Sequence, residues 1–182
     1  MKTKTLLTIA IAFLFMSLQQ TMAQNKETRI LVAYFSATGT TARAAEKLAN
    51  VTGGELYAIE PVRSYTSADL DWHDRQSRSS VEMNDPASRP AIKGRKENIA
   101  DYDVILIGYP IWWNLAPRVI NTFIESHDLN GKIMVPFATS GGSTLAGSAA
   151  ALKQTYPALN WKEGRLLNRV DEKTIRAWIE GW

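Results

Sequence analysis

The run Ile30-Leu31-Val32-Ala33-Tyr34-Phe35-Ser36-Ala37-Thr38-Gly39-Thr40-Thr41 sets the reading of this chain. Its first six residues are apolar without interruption, which marks a strand covered on both faces, since a half-exposed strand would alternate. Its last six form a hydroxyl-rich turn, and Ala42 to Asn50 then places Ala45, Leu48 and Ala49 on one helical face. Gly53-Gly54 stops that helix. A strand, a short turn and a helix make the opening half of a parallel crossover unit.

The same alternation recurs downstream. A second strand is expected at Glu55 to Ile59, closed by Pro61, and a third within Asp103 to Tyr109, where Val104 to Gly108 is buried and Pro110 ends the run. Ala116 to Ser126 carries the helical period through Ile120, Phe123 and Ile124. Lys132 to Ala138 reads as a fourth strand, and Thr139 to Ser143 as a turn into a small-residue helix reaching about Tyr156. A fifth strand falls between Ala158 and Leu167. Ile175, Trp178, Ile179 and Trp182 lie at i, i+3, i+4 and i+7 and give the last helix one core-facing stripe. The pattern predicts a single α/β domain with a parallel sheet. Between strands two and three, Pro61 to Ala100 is polar and without a clear strand. A helix is predicted inside it from the Thr66/Asp69 capping-box pattern and the pairs Asp71/Arg75 and Asp74/Arg78 four apart. Asp85-Pro86 and Arg89-Pro90 break the chain. A connection of this length is often functional.

Composition narrows the function. Lys2 and Lys4 precede an apolar run from Leu6 to Met16, and Thr21-Met22-Ala23 closes it with small outer residues, the pattern of a secretory signal peptide over residues 1–23. That run is too short to span a bilayer. Removal of 23 of the 182 residues leaves a mature domain of 159 that starts at Gln24, with 19 basic against 18 acidic side chains. Near-neutral charge gives no basic stripe for a nucleic acid. The chain has no cysteine, which excludes thiol catalysis, iron–sulfur clusters and a lipidated N-terminal cysteine. It suits an oxidising compartment, so the mature chain is expected to be exported, periplasmic or extracellular, without stable membrane insertion.

Ligands of open parallel sheets bind beyond the carboxyl ends of the strands. Three loops of unusual composition lie there. Ser36-Ala37-Thr38-Gly39-Thr40-Thr41 leads directly into a helix, whose free N–H groups and four surrounding hydroxyls suit a phosphate. The same composition also serves a turn that only caps its helix. No lysine follows, which excludes the P-loop, and a single glycine excludes the dinucleotide fingerprint. A terminal monophosphate fits better than a pyrophosphate. Tyr109-Pro110-Ile111-Trp112-Trp113-Asn114 holds adjacent indoles, of which at least one must face the crevice or solvent and so offer a stacking surface, unless both close the top of the core. Phe137-Ala138-Thr139-Ser140-Gly141-Gly142-Ser143 has two glycines where backbone can approach a ring edge, though such turns are common. Together the loops describe a site for a flat heterocycle with a phosphate tail, and FMN has that shape.

At these three motifs the chain resembles the flavodoxin family, in a branch with Tyr-Pro-Ile-Trp-Trp and Phe-Ala-Thr-Ser-Gly-Gly-Ser loops, from about Ile30 to the C-terminus. The resemblance implies a doubly wound five-stranded parallel sheet of order 2-1-3-4-5 with helices on both faces. It implies that Ser36, Thr38, Gly39, Thr40 and Thr41 hold the FMN phosphate, with Ala37 giving a backbone group. Pro110, Ile111, Trp112 and Trp113 would flank the ribityl chain and the ring, while Thr139, Ser140, Gly141 and Gly142 line its far side. Tyr34 stands in the strand at the mouth of the first loop. Two departures separate the chain from many flavodoxins. Pro110 to Asn114 contains no glycine to flip beside flavin N5, so stabilisation of a one-electron state is not carried over. The 19 to 18 charge count lacks the acidity those proteins use to dock partners.

The expected function is electron transfer through FMN, with the protein tuning the cofactor by stacking and edge hydrogen bonds. An FMN oxidoreductase taking hydride from NAD(P)H to a quinone-like acceptor is the alternative, with Tyr65, Trp72 and the Pro61–Ala100 segment forming the second pocket. A flavin-free binding module on the same fold is the third. The physiological redox partner is not legible. Asp69, Asp71 and Asp74 read as a solvated helix face rather than metal ligands, and His73 and His127 are isolated from each other. His127 reads as a dipole partner at a helix C-terminus. Ser140 and Ser143 lack a nucleophile elbow.

Overall fold

The computed structural model describes residues 28–169 and 171–180; the leader assigned to residues 1–23 and the Trp182 of the last stripe lie outside them. Six strands form one parallel sheet: β1 (Ile30–Tyr34), β2 (Glu55–Ala58), β3 (Val104–Pro110), β4 (Ile133–Thr139), β5 (Asn160–Trp161) and β6 (Arg165–Leu166). The order is β2-β1-β3-β4-β5, with β6 also pairing β4. Among the described residues five α-helices accompany them: α1 (Thr40–Thr52), α2 (Arg78–Asn84), α3 (Arg118–Glu125), α4 (Leu145–Thr155) and α5 (Glu172–Ile179). This is the expected 2-1-3-4-5 architecture.

Strand parity explains the two layers. Leu31, Ala33, Ile105, Ile107 and Tyr109 point to one face and pack with Val119, Ile120 and Phe123 of α3 and Leu152 of α4. Their neighbours Val32, Val104, Leu106 and Val135 point to the other, against Ala45 and Leu48 of α1 and Ile175 of α5. Both faces are therefore dry, and unbroken apolar strands are the sequence consequence. The reversal of strand order between β1 and β3 opens a crevice at their carboxyl ends.

Three expectations change at element ends. α1 begins at Thr40 instead of Ala42, because Gly39 takes a left-handed φ of 84° and serves as its N-cap. Thr139 closes β4, paired with Pro110, and does not belong to the following turn. The fifth strand is split into β5 and β6, both on the same edge of β4.

The helix of the long segment lies later than the Thr66 pattern implied. Thr66 and Asp69 do bond reciprocally, through Thr66 N–H to Asp69 Oδ2 at 2.9 Å and Asp69 N–H to Thr66 Oγ1 at 3.2 Å, but only turns follow. Asp71 and Asp74 accept from the N–H groups of His73 and Gln76 two residues on, and such local bonds compete with helix. Arg78 pairs instead with Glu82, inside α2, whose N-cap is Ser77. The segment is pinned to α3 by Arg89, which grips both oxygens of Glu125 at 2.7 and 2.8 Å, and by Arg118 donating to Met83 O at 3.0 Å.

His127 does not act as a cation on α3. Its Nε2 accepts the Lys96 N–H at 2.9 Å, leaving Nδ1 as the protonated nitrogen toward Phe123 O at 2.7 Å. Burial lowers its pKa, so a neutral ring closes the helix by hydrogen bonding rather than by charge. In α5, Ile175 is buried while Trp178 and Ile179 are half-buried against the α1 layer. Among the described residues no helix is long and apolar enough to cross a membrane, and no group of His, Asp or Glu could hold a metal ion.

Candidate functional site

The first loop runs directly into α1. No side chain caps α1, although four hydroxyls surround its first turn, so the first-turn N–H groups keep no intrahelical acceptor. Ser36 Oγ is the buried side-chain polar atom that has no hydrogen-bond partner among the described residues. A buried hydroxyl without a partner is costly, and here it stands beside a helix N-terminus where an anion is favoured. The turn therefore fits the phosphate that its composition suggested.

The remaining hydroxyls divide. Thr38 is exposed and lines the crevice. Thr40 is exposed and accepts from Arg43 Nη2 at 3.3 Å. Thr41 turns inward, 1% exposed, and its Oγ1 lies 2.8 Å from Thr139 Oγ1, itself in a 3% exposed residue. Whichever of the two donates, the other keeps a proton for a further acceptor.

The second loop separates its two indoles. Trp112 packs edge-on against Phe35 and Tyr65, with ring centroids 5.6 and 5.2 Å away. Trp113 stands at the rim, 45% exposed. A tight turn does this: Trp112 and Leu115 exchange both backbone hydrogen bonds at 3.0 and 2.8 Å, while Trp113 and Asn114 have φ of 46° and 62°. Positive φ at both central positions is the mirror-image hairpin turn, which normally takes glycine or asparagine. A tryptophan there is strained, and strain of this kind gathers at functional sites. α4 makes room for the turn at Gly147, where a Cβ would stand 2.2 Å from Asn114 Nδ2.

The third loop is braced by hydrogen bonds. Ser140 Oγ accepts from the N–H groups of Gly142 at 3.2 Å and Ser143 at 2.7 Å, and Ser140 N–H donates to Asn168 Oδ1 at 2.7 Å. Ser140 Oγ thus takes the N–H groups of Gly142 and Ser143, and Asn168 that of Ser140. Gly141 and Gly142 face open space.

The loops converge on a cavity of about 620 Å³ lined by Thr38, Thr41, Pro110 to Trp113, Ser140, Gly141 and Gly142, with Ala37 and Ser143. That volume lies in the range of small-molecule sites. Ser36 and Gly39 line a neighbouring cavity of about 340 Å³. Thr40 and Thr139 line neither. Leu70, Trp72 and Ser79 of the long segment complete the larger cavity; Trp72 is 68% exposed and Ser79 buried. Leu70, Ser79, Arg43 and Asn168 were missed in the sequence. No periodicity marks the first two, and Asn168 acts on a residue 28 positions away. Arg43 could have been found, since it lies one turn into the helix after Gly39. Tyr65, which supports Trp112, has its phenol raised by burial and by its hydrogen bond to Glu82.

A family model described as flavodoxin matches residues 29–182. Among solved structures, the chain is similar to a Bacteroides eggerthii protein assigned as a flavoprotein, with 71% identity, a TM-score of 0.84, and coverage of 85% of this chain and 98% of that one. A Bacteroides uniformis protein of the same assignment has 56% identity and a TM-score of 0.82 over 85% of this chain and 99% of that one. A Lactobacillus acidophilus flavoprotein in complex with FMN shares the fold at 20% identity, with a TM-score of 0.67 over 85% and 98% of the two chains. No curated protein sequence matches. With its sheet order, its switch-point crevice and a family match across the whole described domain, this chain belongs to the flavodoxin family.

Proposed function

We propose that the domain binds FMN and transfers electrons through it. The observation that carries this reading is the Ser36 hydroxyl, buried without a partner beside an uncapped helix N-terminus. Ser36, Thr38, Thr40 and the first N–H groups of α1 would hold the phosphate. Gly39 keeps the loop open through its left-handed backbone. Trp112 and Trp113 would present flat surfaces to the ring, and Thr41, with Thr139 donating to it, would offer its own proton at the floor of the crevice. Bound FMN supplies the one- and two-electron chemistry. The chain's part is to orient the ring and keep water from its buried edge.

A second reading is favoured by the wall of Leu70, Trp72 and Ser79. Those residues belong to the crevice yet lie outside the three loops, and an exposed indole in the same cavity as Pro110–Trp113 suits a second planar molecule such as a nicotinamide or a quinone. On that reading the domain is an FMN-dependent oxidoreductase. We also place the mature domain outside the cytoplasm, on the strength of Lys2, Lys4 and the apolar run to Met16. The mass of the N-terminus of secreted protein checks this, with Gln24 as the expected first residue.

The deciding experiment is a visible spectrum of the purified chain, mass spectrometry of what it releases, and titration with FMN. A yellow protein releasing FMN is expected. A colourless chain indifferent to FMN sinks the reading and leaves a flavin-free binding module. Steady-state oxidation of NAD(P)H with a quinone then separates carrier from enzyme.

A further inference from the structure

We propose that Arg43 is the cation by which this site selects a flavin monophosphate over riboflavin. The proposal rests on the FMN reading above. Arg43 sits one turn into α1, and its guanidinium folds back over the start of the helix. Nη1 lies 3.4 Å from the point a Cβ on Gly39 would occupy, and Nη2 donates to Thr40 Oγ1 at 3.3 Å.

The N-terminus of a helix is the wrong end for a positive charge. It carries a partial positive charge of its own, so a cation there is disfavoured. Among the described residues no carboxylate offsets that. The first turn of α1 contains no acidic residue. Among the described residues no carboxylate forms an ion pair with Arg43, including Glu46 on the next turn of the same helix, whereas Arg63, Arg78 and Arg89 each meet one.

A phosphate monoester reverses the sign of every one of these terms. With a charge approaching −2 at neutral pH, it is attracted by the helix N–H groups and the guanidinium together, and it satisfies Ser36. Guanidinium is also the cation whose fork matches phosphate oxygens. The ring of the flavin is recognised elsewhere, by the indoles and the Thr139–Ser143 loop, so Arg43 acts on the tail alone. Riboflavin, which ends in a neutral alcohol, gains nothing from it.

The test compares FMN and riboflavin, followed by quenching of flavin fluorescence, for the wild-type chain, Arg43→Gln and Arg43→Lys, at low and high salt. The wild-type chain is expected to prefer FMN. Arg43→Gln should weaken FMN binding about tenfold, leave riboflavin binding unchanged and flatten the salt dependence, with Arg43→Lys in between. Unchanged thermal midpoints confirm that the variants fold. Equal loss for both flavins, or unchanged FMN affinity, overturns the proposal. A wild-type chain that binds both flavins equally also overturns it while sparing the flavin reading. One that binds neither overturns both.

Discussion

The hydroxyls of Thr41 and Thr139 lie 2.8 Å apart in two buried residues and tie the first turn of α1 to the end of β4. Thr41→Val or Thr139→Val leaves one buried hydroxyl without its partner, at a cost of about 1–3 kcal/mol each. The double variant replaces both by apolar groups of the same shape and should lose much less than the sum. Denaturant unfolding of the four proteins measures this coupling; additive losses would mean that the bond contributes nothing.

Thr40→Asp should weaken FMN binding by about a hundredfold, because it sets an anion against a phosphate dianion. The new carboxylate would also lie within reach of Arg43, which already bonds Thr40, and draw the guanidinium away from the ligand. Titration with FMN checks this, and unchanged affinity would remove the first loop from the site.

Trp113→Ala should change flavin affinity or potential more than Trp178→Ala, since Trp113 stands on the crevice rim and Trp178 against the α1 layer. Trp113→Gly adds a second readout. Relief of the positive φ at this position should raise stability by up to about 1 kcal/mol while flavin binding falls. Thermal unfolding of the flavin-free protein and an FMN titration report the two effects separately.

Stability should fall as pH drops below about 6.5, and His127 is the cause. Burial holds its folded pKa below the ordinary value, with Arg95 adding to that effect, while the Phe123 carbonyl and Glu97 oppose it. The unfolded chain therefore binds more protons in this window, and stability is lost between the unfolded and folded values, then levels off. His127→Gln should flatten the slope there. A separate decline follows below about pH 4.5, where Glu125, held low by Arg89, and Glu55, held low by Lys96 and Tyr102, lose their charge. Urea midpoints across pH 4 to 8 separate the windows.

Much of this was legible because the deciding signals are local. Val104 to Gly108 and Ile30 to Phe35 are continuous apolar runs, and the order of turns and helices between them leaves little choice of topology. Pro110 to Trp113 and Ser36 to Thr41 announce themselves by composition at strand ends. The partners that finish the site are long-range. Ser79 and Leu70 reach the crevice through a segment fixed by Arg89 on Glu125 and by Arg118 on Met83 O, which no period encodes. The helix expected near Thr66 failed for a related reason: Asp71 and Asp74 bond their own backbone, an option that residue spacing alone does not rule out. The first turn of α1 was placed late because a helix that starts on a left-handed glycine shows no apolar residue at its beginning.

Splitting the outer strand into β5 and β6 has a consequence for how copies of the domain meet one another. Each piece is only two residues long, and the opposite border, β2, has four. Neither border presents a long flat row of unpaired amides for another molecule to extend. Short, interrupted borders resist intermolecular strand pairing, so crowded copies of the folded domain are kept from adding to one another's sheets.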